Sequence, residues 1–177
     1  MDFLTVRSYM AEMFNDALFY LQEAERETDT FVKTRFYRSS IINFCASAEA
    51  AMAFLAEKHL KAQNRSRLGR VDREILAYLN RVDKQPPQEF KSIPSKISKV
   101  TNYLKVEIPS QVREDYLALT SFRNRLIHYK TTLNNEIYLD GRLNKMAQNA
   151  PQITRSFLSH LSKDHNLGFY LNEKPNY

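Results

Sequence analysis

The sequence predicts an all-α protein, a bundle of four to five main helices with short extra helices in the middle segment, folded as a single domain over residues 1–177. Three observations predict it. Only three glycines and six prolines punctuate 177 residues. Ala, Leu, Glu, Lys and Arg fill the long segments, and apolar side chains return every three or four positions rather than every second one. A hydrophobic fraction of 43% beside 26% charged residues is the composition of a chain that buries one core, and this length accommodates one ordinary domain rather than two.

From about Phe3 to Glu27, Val6, Met10, Met13, Ala17, Tyr20, Leu21 and Ala24 repeat at helical spacing and predict a first amphipathic helix. A second helix, from about Thr30 to Gln63, is longer and apolar on all sides, so it belongs at the centre of the bundle. Asp29 or Thr30 caps its start by accepting a bond from a free backbone N–H. Its Ala46, Ala48, Ala50, Ala51 and Ala53 allow neighbouring backbones to come close. The tract NRSRLGR, residues 64–70, ends that helix in a loop, and a short helix follows from about Val71 to Asn80. Pro86, Pro87, Pro94 and Pro109 then break up the chain and leave one or two helical turns around residues 95–104. Ser110 caps the next helix, which runs to about Lys130. A last amphipathic helix spans about Leu143 to Lys163, where Pro151 requires a kink or a break. There is no internal repeat and no low-complexity tract.

Charge and composition narrow the class of function. MDFLTVRSYMAEMF lacks the basic start and apolar run of a secretory signal. Glu49, Glu57 and Lys58 interrupt the most apolar stretch, so no membrane segment and no membrane partner are expected. A lone Cys45 cannot form an intrachain disulfide and reads as a small core residue, and together these features point to the cytoplasm. A net charge of +6 makes an anionic partner reasonable, nucleic acid first among them.

The stretch SFRNRLIHYK, residues 121–130, carries the most chemistry. At 100° per residue, Tyr116, Leu119, Phe122, Leu126, Ile127 and Tyr129 fill an apolar arc roughly 160° wide, and Arg123 falls inside it. Asn124 and His128 are i,i+4 neighbours on the opposite, polar side, where Ser121 also points. A guanidinium cannot lose its proton, so a buried Arg123 needs an acceptor, ideally a carboxylate. The second helix offers one. Arg38, Ile42, Cys45, Glu49 and Met52 form one stripe at steps of four, three, four and three, which puts Glu49 among apolar neighbours. Either charge buried alone would cost several kcal/mol, so Glu49 and Arg123 are expected to approach. Read from periodicity alone, that pair ties two helices together, and His128 is a helix-end histidine favoured by the C-terminal dipole.

At these residues the chain resembles the HEPN superfamily (higher eukaryotes and prokaryotes nucleotide-binding domain). The segment from Arg123 to His128 looks like that family's motif of an arginine, a polar residue, three further residues and a histidine. It is preceded by the apolar lead-in Tyr116-Leu-Ala-Leu119 and, far upstream, by an Ala-rich helix bearing Ser47 and Glu49. The resemblance implies an HEPN-like bundle of four or five helices, a homodimer whose motif helices meet across the dimer axis in a composite active site, and no metal or other cofactor. It implies RNA as substrate, cut by a metal-independent endoribonuclease acting as a toxin or an antiviral, abortive-infection effector, with an antitoxin or other regulatory protein as a further partner. Carried onto this chain, Arg123 and His128 are the catalytic pair, Asn124 the polar position and Glu49 an orienting acid. His128 would draw the proton from a ribose 2′-OH or protonate the departing 5′ oxygen, and Arg123 would hold the phosphate, leaving a 2′,3′-cyclic phosphate. In some members a tyrosine two positions after the histidine is nucleotidylated. Lys130 stands there in this chain, with Tyr129 one position earlier, which departs from that pattern.

Other chemistries lack their residues. His59, His160 and His165 form no zinc spacing. Gly69, Gly141 and Gly168 are isolated and make no phosphate loop, and no serine has a nucleophile-elbow setting. Arg65, Arg67, Arg70, Lys96 and Lys99 read as a basic track for RNA, with Tyr103 to stack on a base, or as solvated loop charges. The rival to a nuclease is a noncatalytic HEPN-like helical subunit that binds a nucleotide or a protein partner.

Overall fold

The computed structural model describes residues 9–81, 83–127 and 141–161, and all of its regular structure is helical: α1 (Tyr9–Arg26), α2 (Thr30–Ala62), α3 (Arg70–Asn80), α4 (Ile93–Leu104), α5 (Ser110–Ile127) and α6 (Arg142–Leu161). Two 3₁₀ turns, Arg65–Arg67 and Gln88–Phe90, lie before α3 and α4. The expected all-α architecture is present, with α3 and α4 as the extra helices of the middle segment.

The 33-residue α2 is the axis of the bundle, packed against α1, α3, α4, α5 and α6. Asp29 caps it by accepting from the backbone N–H groups of Phe31 and Val32. Its buried face includes Ala48, Ala51 and Ala56, which leave room for close neighbours. Serines extend that logic. Ser47 Oγ donates to the carbonyl of Met10 at 2.8 Å, and Ser40 Oγ to the carbonyl of Ala17 at 2.9 Å. Seven residues up α2 match seven residues down α1, so the helices run antiparallel with a heptad register. Among the described residues α2 is also long and apolar enough, by length and composition, to cross a membrane, contrary to the expectation that its charges interrupt it. More than half of that window is buried within the bundle. A helix enclosed by five others needs apolar residues on most of its circumference.

Aromatic contacts join the layers. Phe14 of α1 meets Phe44 of α2 edge-on at 5.1 Å, and Tyr116 of α5 stacks on Phe157 of α6 at 3.9 Å. The middle segment is more ordered than its prolines suggest. α4 has three turns rather than one or two, because Ser92 caps it by accepting from the Ser95 N–H, and Pro94 lies in its first turn, where no N–H partner is needed. α6 continues through a buried Pro151 without the break the sequence suggested. On α5, Tyr116, Leu119, Phe122 and Leu126 are buried as expected, whereas Ile127 is 47% exposed. Tyr129 lies outside the described residues.

Candidate functional site

Glu49 projects from the middle of α2 into the space between α4 and α5. Arg123, 74 positions later on α5, donates from Nη2 to Glu49 Oε1 at 2.7 Å. The expected approach of the two residues is what the structure contains. Lys96 of α4 takes the other oxygen, with Nζ 2.8 Å from Oε2. The side chains are 23% (Glu49), 17% (Arg123) and 15% (Lys96) exposed, so water reaches this cluster only at its edge. Two cations share one carboxylate, leaving one positive charge in excess.

The electrostatics follow from that arrangement. Burial pushes the Glu49 carboxyl upward, but the hydrogen bond and charge of Lys96, joined by those of Arg123, outweigh it and hold the carboxyl below the usual glutamate range. Beneath the cluster, burial pushes the Cys45 thiol up to about 12, with Arg123 opposing and Glu49 adding to the rise. Burial likewise raises the Tyr116 hydroxyl. Tyr116 Oη and Arg123 Nε are buried without a hydrogen-bond partner among the described residues. Glu49 occupies one of the five N–H donors of the guanidinium.

Asn124 and Ser121 are exposed on the outer side of α5, as the helical projection predicts, and Arg125 beside them lies over the Phe122 ring at 6.0 Å. His128 lies outside the described residues, as does His165. Among the described residues no group of three His, Cys, Asp or Glu side chains is placed to hold a metal.

The expected RNA track divides in two. Lys96 is committed to Glu49. Lys99 lies 3.7 Å from Asp72 of α3 and 5.8 Å over the Tyr103 ring. Tyr103 donates to Asp72 at 2.6 Å and stacks on His59 of α2 at 4.9 Å, so one face of its ring is already covered. These three residues tie α4 to α2 and α3. Arg65, Arg67 and Arg70 are exposed at the α2–α3 junction, with Arg70 paired to Glu74 at 2.9 Å.

Lys96 is the member of the cluster whose role the sequence reading missed. Its signal was the one that located Arg123: Ile93, Lys96, Ile97 and Val100 form a stripe at steps of three, one and three, which puts the lysine among core residues. No family model, no curated protein and no solved structure matches the chain.

Proposed function

We propose that this chain is a metal-independent endoribonuclease of HEPN type, in which Arg123 binds the scissile phosphate and His128 moves the proton. One observation carries this reading: Arg123 is braced by Glu49, with Lys96 on the same carboxylate, in a cluster that retains one excess positive charge. A phosphodiester undergoing attack gathers negative charge on its nonbridging oxygens, and a pre-oriented guanidinium stabilises that charge without reorganising. Histidine titrates near neutrality and is suited to take the 2′-OH proton or to protonate the 5′ oxygen. Glu49 orients the arginine, and Asn124 supplies the exposed polar group of the motif. Toxin-like or antiviral action follows if the substrate is cellular RNA.

The experiment is incubation of RNA with the purified protein in a chelator. Cleavage should leave 2′,3′-cyclic phosphate and 5′-hydroxyl ends. His128→Ala and Arg123→Lys should each lower the rate by about 100-fold or more. Equal degradation by all three proteins overturns the assignment.

A second reading, a noncatalytic helical subunit binding a nucleotide or a protein, is favoured by the way the same cluster joins α2, α4 and α5, which suffices to account for a half-buried arginine. Under it, no RNA is cut and His128→Ala changes nothing, while Arg123→Lys lowers stability.

A further inference from the structure

Beyond the proposed nuclease site, the α2–α3 junction forms a groove of about 990 Å³ between the C-terminal end of α2 and the outer face of α3. Arg73, Leu76 and Ala77 make one stripe of α3 along it, Arg81 follows the last residue of that helix in extended backbone, and Lys61 and Arg65 stand on the opposite wall. The other side of α3, with Ile75 fully buried and Val71, Tyr78 and Leu79 packed beside it, is turned to the core. Among the described residues no carboxylate lines the groove.

We infer that this groove is a docking site for an acidic amphipathic helix of a partner protein. Charge complementarity selects the sign. Arg65 and Arg73 have no carboxylate partner among the described residues, while Lys61 pairs with Glu57 at 2.6 Å and Arg81 with Asp83 at 3.4 Å as exposed contacts that exchange readily with a competing carboxylate. Geometry selects the shape. Arg73 lies in α3 and Arg81 immediately follows its last residue, Asn80, so the two positions are about two helical turns apart along the helix. A helix lying alongside α3 meets both with carboxylates seven or eight positions apart, and places apolar side chains between them on Leu76 and Ala77. The floor chemistry separates this occupant from RNA. Single-stranded RNA relies on rings for its bases to stack on, and among the described residues the lining contains leucine and alanine but no aromatic side chain. A chain of net charge +6 also attracts an acidic protein over long range.

The test uses a fluorescein-labelled synthetic peptide of about 18 residues, five helical turns, with Leu and Ala on one face flanked by Glu seven positions apart. A scrambled peptide of the same composition and a short unstructured RNA serve as comparisons. Fluorescence anisotropy should show the amphipathic peptide binding about tenfold or more tightly than the scrambled one, and Arg73→Glu with Arg81→Glu should weaken it by a similar factor. Both arginines are exposed, so the double variant should keep the wild-type melting curve. Equal affinity for the two peptides, or for the double variant and the wild type, overturns the inference. So does loss of RNA binding with retained peptide binding in the double variant, which would make the groove an RNA track. RNA cleavage at the Arg123 site is read separately and is unaffected by either result.

Discussion

A carboxylate with a cation on each oxygen has a definite response to acid. Because the Glu49 carboxyl titrates below its unfolded value, its ionisation adds stability that is fully present above about pH 4.3, the ordinary glutamate range, and is lost as pH falls through the lower folded value. Glu49→Gln removes that dependence and leaves Lys96 and Arg123 facing each other without a counter-charge. It should cost about 2–4 kcal/mol at pH 7, less than a fully buried pair because a quarter of the carboxylate side chain meets water. Urea midpoints from pH 7 down to pH 3 should fall more steeply for the wild type than for the variant. Parallel curves would mean that Glu49 does not feel its two partners. The Glu49–Arg123 contact was legible in the sequence because each residue interrupts an apolar stripe, and two such interruptions of opposite sign satisfy each other. Lys96 carried the same mark on α4, but it lay between Pro94 and Pro109, where the sequence reading expected a broken chain. Ile127 shows the reverse error: it falls inside the apolar arc of α5, yet it is 47% exposed among the described residues.

Between helices, the register of α1 on α2 rests on a pair of hydroxyls. Ser40 and Ser47 are fully buried and each donates to a carbonyl of the neighbouring helix. Replacing either by Ala removes the donor and leaves a small space, which should cost about 1 kcal/mol per site, and the double variant should show nearly the sum because the sites are two helical turns apart. Thermal or urea unfolding measures this. A loss near zero would mean that the alanines alone set the helix spacing. The order and type of the helices were readable from spacing, and most described ends fall within two residues of expectation. Pro94 was misread for a physical reason. Pro94 in a first turn removes an N–H that has no intrahelical partner, so it starts α4 rather than breaking it. Pro151 gives up one backbone bond inside α6 but is itself buried, and packing of its ring offsets part of that loss.

For the molecule as a unit, the open question is whether one copy suffices for the proposed chemistry. Cleavage through a 2′-OH needs a proton carrier at the oxygens and a cation on the phosphate, and in a composite cleft these two groups can come from different copies. In the proposed homodimer, two copies meeting at their motif helices would supply two histidines and two arginines to one cleft. Subunit mixing tests this directly. Arg123→Lys keeps the positive charge beside Glu49 but loses the planar fork, whereas His128→Ala removes the proton carrier, so each protein alone should be nearly inactive. In a mixed dimer the cleft regains one intact arginine and one intact histidine. Activity of the mixture should therefore rise about tenfold or more above either variant, and should grow with total protein as dimers form. If sedimentation shows mixed dimers while activity stays at the level of the separate variants, the two groups do not share a cleft. The cation cluster at Glu49 would then be a tie between helices, and the groove beside α3 would become the first place to seek the molecule's partner.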